Sequence, residues 1–376
     1  MTKHLTVLAL VAGLAACEQT HGVTNPTPSL AAALAARAAD AGQDASGAVY
    51  TLTNQVTGNT VAVFRRAADG TLRAAGSVAT GGTGTGAGLG SQSALALSAD
   101  GRWLFAVNAG SNDVSVLRVD GDAPSLASRT PSGGTGPISL TVHGTLLYVL
   151  NAGGAGNITG FTVGPDGAVA PIAGSTRALP GAAVGPAQVA FSPNGRALIV
   201  TEKTTNRLDV YRVSEDGVAG SLTSVASAGG TPFGFAAGPR NLLFVSEAAG
   251  SASSYVLEDG GDLQVVSGGV LTHQGAPCWA VVTADGRFGY TANAQGGSIS
   301  GFAVAPNGAI TLLDASGATA LVGKGATDLA LSVDSRFLYD LVGHTIVELR
   351  VGADGHLAPV GTVGGLPTGT VGLAAH

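Results

Sequence analysis

Trp103-Leu104-Phe105-Ala106-Val107-Asn108-Ala109-Gly110 decides the fold, because the chain keeps returning to this phrase. Residues 146–153 read LLYVLNAG, 197–203 ALIVTEK, 242–248 LLFVSEA, 288–294 FGYTANA and 337–343 FLYDLVG, and a looser copy, AVYTLTN, occupies 48–54. From Trp103 onward the copies start 43 to 51 residues apart. A period of about 40–50 residues built from short strands predicts a β-propeller with four strands per blade. Seven copies predict seven blades.

The flanking sequence supplies the other strands. Before each phrase stands an inner-strand segment: SALALS at 93–98, ISLTV at 138–142, AQVAFS at 187–192, FGFAA at 233–237, CWAVVT at 278–283 and TDLALS at 327–332. Asp100-Gly101, Asn194-Gly195 and Asp285-Gly286 then supply the positive φ of a short hairpin. A third strand follows each phrase, and a second Asp-Gly or Asn-Gly turn leads outward, as at Asp216-Gly217 and Asn307-Gly308. The first copy has no inner strand, while residues 371–376 form an inner-type strand with nothing after it. The fold class is therefore all-β, with antiparallel blades and a ring closed by the C-terminal strand joining the N-terminal three.

Glycine is abundant, at 59 residues, and charged residues make up only 11%, against about 25% in an ordinary soluble protein. The net charge is −6, with no basic cluster, which excludes nucleic acid as a partner. Lys3 precedes an apolar run that ends Leu14-Ala15-Ala16-Cys17 and is too short to span a bilayer as a helix. This end resembles a bacterial lipobox. The division expected is a signal peptide at 1–17, a tether at 18–46 and the propeller at 47–376. Lipid on Cys17 would anchor the protein in the cell envelope; a cut elsewhere would make it secreted. With Cys17 lipidated, Cys278 has no partner for an intramolecular disulfide.

Antiparallel blades sort the loops. Inner-strand starts, second-strand ends and third-strand starts share one face with the long connections between blades, and the tight turns lie on the other. Binding sites concentrate on long loops carried by a rigid scaffold, so the site is expected at the channel mouth on the loop face. Second-strand ends there form a polar ring of Asn54, Asn108, Asn151, Glu202, Glu247 and Asn293. Glu202 and Glu247 replace Asn in adjacent blades; two carboxylates at a channel mouth can share a proton, bind a cation or orient water as general bases, and they also read simply as solvated rim acids. The Asn residues also read simply as turn caps. His344 is a third catalytic candidate. Gln188, Lys203, His273, Trp279 and Asp328 join Asn108, Asn151 and Asn293 as ligand-binding candidates. Trp279 reads equally well as packing, and Lys203 as a partner of Glu202. No zinc-ligand spacing, P-loop or nucleophile elbow is present, and Gly82-Thr83-Gly84-Thr85-Gly86 leads into a strand rather than a helix. No metal or cofactor is expected.

The units SPNGRALIVTEKTTNRLDVYRV and SADGRWLFAVNAGSNDVSVLRV resemble the repeats of the bacterial lactonase-like seven-bladed propellers, which include 6-phosphogluconolactonases and carboxy-cis,cis-muconate cyclases. The resemblance covers about residues 48–376. It implies an enzyme that opens or forms a lactone, either a carboxylic-ester hydrolase or a cycloisomerase. Active members carry Gly-Pro-Arg-His at one inner-strand start and Asn-Glu-Leu at the next strand end. Here those stretches are Gly185-Pro186-Ala187-Gln188 and Glu202-Lys203-Thr204, and a further family Pro-His is Pro137-Ile138. The alternative expectation is a non-catalytic propeller that binds a small molecule or an envelope protein on its loop face.

Overall fold

A computed structural model describes residues 45–120, 123–259 and 261–376. The lipobox, Cys17 and nearly all of the expected tether lie outside them. The described chain folds into seven antiparallel sheets. Blade 4 shows the pattern: Pro186–Phe191, Ala197–Glu202, Arg207–Val213 and Ala219–Ala226 pair in that order from the channel outward. Blades 2, 3, 5, 6 and 7 repeat it from inner strands at Leu95–Leu97, Pro137–His143, Pro232–Gly238, Pro277–Val282 and Ala326–Leu331.

Every residue of the second strands Trp103–Asn108, Ala197–Glu202, Leu242–Glu247 and Phe288–Asn293 is buried. Each blade is packed on both faces by its neighbours, so these strands are apolar without the alternation of a half-buried strand. Outer strands such as Ser125–Pro131 are mostly exposed. Tyrosines bolt blade to blade. The hydroxyls of Tyr148, Tyr290 and Tyr339 donate to the carbonyls of Gly217, Gly355 and Gly70 in the next blade's turn, at 2.7, 2.7 and 2.9 Å.

The tight turns share one hydrogen-bond pattern. Ser98 Oγ donates to Asp100 Oδ1 at 2.5 Å, the Arg102 N–H donates to the same oxygen, and Ser98 Oγ accepts from the Trp103 N–H. Ser192/Asn194, Thr283/Asp285 and Ser332/Asp334 repeat the arrangement. The side-chain oxygen satisfies the turn's own amides, which is why Asp and Asn recur there. Hydrogen bonds from Ser98 and then from the Arg102 N–H hold the Asp100 carboxyl below its ordinary value.

The ring closes as the orphan strands require. Val371–Ala375 is the inner strand of blade 1, beside Ala45–Leu52, with Val49 opposite Ala375 and Leu52 opposite Val371. Thr51 Oγ1 donates to the Gly372 carbonyl at 2.6 Å, and the His376 N–H to the Ala48 carbonyl at 2.8 Å. One sequence expectation needs correction. The inner strand of blade 2 is only Leu95–Leu97, because Ser93 takes a left-handed φ of 64° and the residues before it turn across the channel. Cys278 is fully buried.

Deleting residues 371–376 removes this strand and leaves blade 1 with an unpaired edge facing the channel. The expected result is a melting temperature lower by at least about 10 °C. A deletion variant that melts within a few degrees of the parent would refute the closure.

Candidate functional site

The polar ring of second-strand ends exists, but it is not a rim. Asn108, Asn151, Glu202, Glu247 and Asn293 are all fully buried, and Asn54 is 1% exposed. The side chains of Asn108, Asn151 and Glu247 fasten the connection from the preceding blade. Asn108 Oδ1 accepts from Thr80 Oγ1 at 2.7 Å and from Asn59 Nδ2 at 3.0 Å, while its Nδ2 donates to Asp113 and Ser115. Asn151 Nδ2 donates to the Ser132 carbonyl, and Asn293 Nδ2 to Ser298 and Ser300. Asn54 Nδ2 donates to the Ala87 carbonyl at 2.6 Å. Glu247 accepts from Ser227, Ser251 and Ser253 hydroxyls and from the Gly229 N–H. Four donors hold that carboxylate inside the protein, so the expectation of solvated acids is corrected by the burial of the strand they end.

Glu202 is held differently. Its Oε2 accepts from the Thr205 hydroxyl, and its buried Oε1 has no hydrogen-bond partner. Burial pushes its pKa up to about 7, the Thr205 hydrogen bond opposes this, and contact with Asp209 adds to the rise.

The channel mouth is filled by the chain itself. The connection after blade 1 crosses it at residues 87–92. Gln92 reaches over the channel to the opposite blades, donating to the Ala280 carbonyl at 2.8 Å and accepting from the Ala280 N–H at 2.8 Å. The Gln92 N–H donates to the Ala187 carbonyl, and Ser91 Oγ to the Ile138 carbonyl. Among the sequence candidates, four meet around this segment. Trp279 Nε1 donates to the Ser91 carbonyl at 2.9 Å. Lys203 Nζ donates to the Gly90 carbonyl at 2.7 Å and lies over the Phe233 ring. Gln188 clamps the Phe235 backbone through both amide atoms, at 2.7 and 3.0 Å. Asp328 faces the far side of the segment. His344 stands apart, its Nδ1 2.9 Å from the Leu366 carbonyl, and His273 is on an exposed left-handed turn.

Asp328 is a buried acid at the mouth. Its φ of 20° is rare for a non-glycine residue, and its Oδ2 accepts from the Gly372 N–H at 2.7 Å. Burial raises its pKa to about 7, with that hydrogen bond in opposition. Asp340 on the next strand is fully buried, and neither carboxyl oxygen has a hydrogen-bond partner. Burial first, and then the charge of Asp328, holds its pKa well above the ordinary value; the Thr327 N–H nearby lowers it without completing a bond. A small cavity lies between Asp328, Thr327, Thr370, Trp279 and the crossing segment at 88–91, with room for on the order of one water molecule. A wider cleft of about 390 Å³ lies on the turn face between blades 4 and 5, lined by exposed charges of both signs such as Arg196, Arg212, Glu215 and Glu258. It holds no buried acid, so the chemistry points to the smaller cavity. Among the described residues, no three His, Cys, Asp or Glu side chains are grouped to hold a metal.

Sequence reasoning missed Gln92, Ser91 and Asp340. Asp340 left a signal, since it interrupts FLYDLVG where the other phrases are apolar or small. Nothing marked residues 87–92 as a stopper rather than a free loop.

The raised acids set a pH window. Asp328 binds its proton more tightly folded than unfolded, so its contribution is fully present below about pH 4 and is lost as pH rises through about 7. Asp340 acts in the same direction. Urea unfolding from pH 5 to 8 is expected to show falling stability in the parent and a shallower fall in Asp328→Asn, which keeps an acceptor for Gly372. A steeper or unchanged slope in the variant would contradict the assignment.

By sequence, residues 48–178 match the family "Lactonase, 7-bladed beta-propeller", a stretch that spans blades 1 to 3. No protein of curated function matches the chain. By structure, the chain is similar to a Bacteroides fragilis protein provisionally named a 6-phosphogluconolactonase, at 19% identity and a TM-score of 0.73, covering 90% of this chain and 100% of that one. It is also similar to the periplasmic gluconolactonase of Pseudomonas aeruginosa, at 20% identity and a TM-score of 0.66, over 86% and 98% of the two chains. Residues 48–178 are thus similar in sequence to the lactonase propellers, and by fold the described chain is a seven-bladed β-propeller.

Proposed function

We propose that this propeller opens or forms a lactone at the loop-face mouth of its channel, with Asp328 moving the proton. The supporting observation is a buried carboxyl of near-neutral pKa that borders a cavity walled by Trp279 and the Thr327 and Thr370 residues. An acid poised near the working pH takes a proton from water as it attacks an ester carbonyl and returns it to the departing alkoxide. Burial disfavours a permanent charge at Asp328, and a charge there would in turn hold Asp340 behind it protonated. The family match supports a lactone as the substrate class. A substrate must displace residues 88–91, because the cavity beneath them is far smaller than a sugar lactone.

The filled mouth favours a second reading, a propeller that binds a ligand or envelope protein without turnover. A panel of sugar-derived and aromatic-derived lactones separates the two. The proposal expects turnover by the parent and a loss of about 10²–10⁴-fold in kcat/KM in Asp328→Asn at pH 7.5, with the fold retained. No turnover of any lactone by folded parent supports the binding reading.

We further infer that the protein works in the cell envelope, anchored by lipid on Cys17. The Leu14-Ala15-Ala16-Cys17 sequence and the periplasmic similar structure support this. Intact mass of membrane-extracted protein is expected to show a diacylglyceryl adduct on a chain starting at Cys17. A Cys17–Cys278 disulfide would overturn the anchor, since one sulfur cannot form both bonds.

A further inference from the structure

The repeat contains its own control for Glu202. Two residues into the third strand, the side chain that faces the second-strand end is Ser115 in blade 2, Thr159 in blade 3, Ser253 in blade 5 and Ser300 in blade 6. In blade 4 it is Asp209. A hydroxyl can donate to the strand-end group, and Ser253 does so to Glu247 at 2.6 Å. A carboxylate cannot.

The surroundings differ to match. In blade 5 the connection at 227–229 lends the Ser227 hydroxyl and the Gly229 N–H to Glu247, and the Ala228 N–H to the Tyr255 hydroxyl at 2.8 Å. Tyr211 is the counterpart of Tyr255 in blade 4. Its hydroxyl is buried, has no hydrogen-bond partner and lies within electrostatic reach of both Asp209 and Glu202. Glu202 Oε1 and Asp209 Oδ2 are also buried without a donor. Three oxygens from three side chains are thus left unsatisfied at one place, where blade 5 satisfies every equivalent group.

The hydrogen bonds of the nearby guanidiniums go to other groups, although the Arg207 charge still favours ionised Glu202. Arg207 donates to Ser224 Oγ at 2.5 Å and to the Ser224 carbonyl at 2.9 Å, and Ser224 in turn donates to Asp209 Oδ1 at 2.6 Å. Arg177 is spread over the carbonyls of Gly174, Thr176 and Gly220.

We propose that blade 4 holds a hard cation of the calcium class between Glu202 and Asp209, with Thr205 and Tyr211 supplying neutral oxygens. Two carboxylates and hydroxyls form an all-oxygen set, which suits such an ion and not zinc. Two adjacent buried carboxylates are costly unless a positive charge compensates them. Thr205 and its neighbours in the turn are exposed, which gives the ion a short route from the loop face. Residues of the channel mouth take no part, so the site is independent of the lactone reading.

The test uses the whole chelator-treated protein, titrated with calcium chloride by calorimetry and with terbium by tyrosine-excited luminescence. The expected result is about one calcium per chain, and terbium emission that calcium displaces. Asp209→Ser rebuilds the blade 5 hydroxyl arrangement and is expected to fold and to lose both signals; Glu202→Gln is expected to weaken them at least about tenfold. Folded parent that binds neither ion at millimolar concentration overturns the proposal and leaves a shared proton between the acids. Binding that survives unchanged in folded Asp209→Ser overturns it equally, by placing the ion elsewhere.

Discussion

The register between Val371–Ala375 and Ala45–Leu52 is the contact on which the rest depends. A ring of sheets has no partner for its first blade until the chain's end arrives, and the ends are more than 300 residues apart. Forming that pairing closes a very long loop, so it is expected late in folding. It also builds the mouth. Gly372 supplies the N–H that holds Asp328, and Thr370 and Val371 wall the cavity beside it. The last segment to arrive therefore completes the scaffold and the candidate site together.

A second constraint comes from packing blades face to face. Every second strand is enclosed on both sides, so a polar residue at its end enters the interior and must be satisfied there. Asn108 meets this demand through both its oxygen and its nitrogen, and Glu247 meets it with four surrounding donors. At Asn108, Asn151 and Glu247 the same device fixes an inter-blade connection to the strand it passes. Those connections are irregular in sequence yet anchored at one repeated point.

The fold was legible because its signals are local and repeated. The apolar phrase, the Ser-x-Asp-Gly-Arg turns and the unmatched strands at the two ends each survive translation into structure. The site was less legible because it depends on distances across the ring. Glu202 and Glu247 look like rim acids when each blade is read alone; the neighbouring blade buries them. Residues 87–92 look like a free Gly-rich loop, and only their hydrogen bonds to Ala187, Ile138 and Ala280 identify a stopper. Gln188, Trp279 and Asp328 were found because inner-strand starts face the channel whatever the loops do.

Gln92 spans the channel from blade 2 to the inner strands of blades 5 and 6. The disc is therefore not a conduit. Whatever enters from the loop face must leave through the same opening. A ligand arriving from the turn face meets a different chemical surface and no passage through. The two faces of the molecule are insulated from each other by residues 87–92, with the Gln92 amide reaching across the channel.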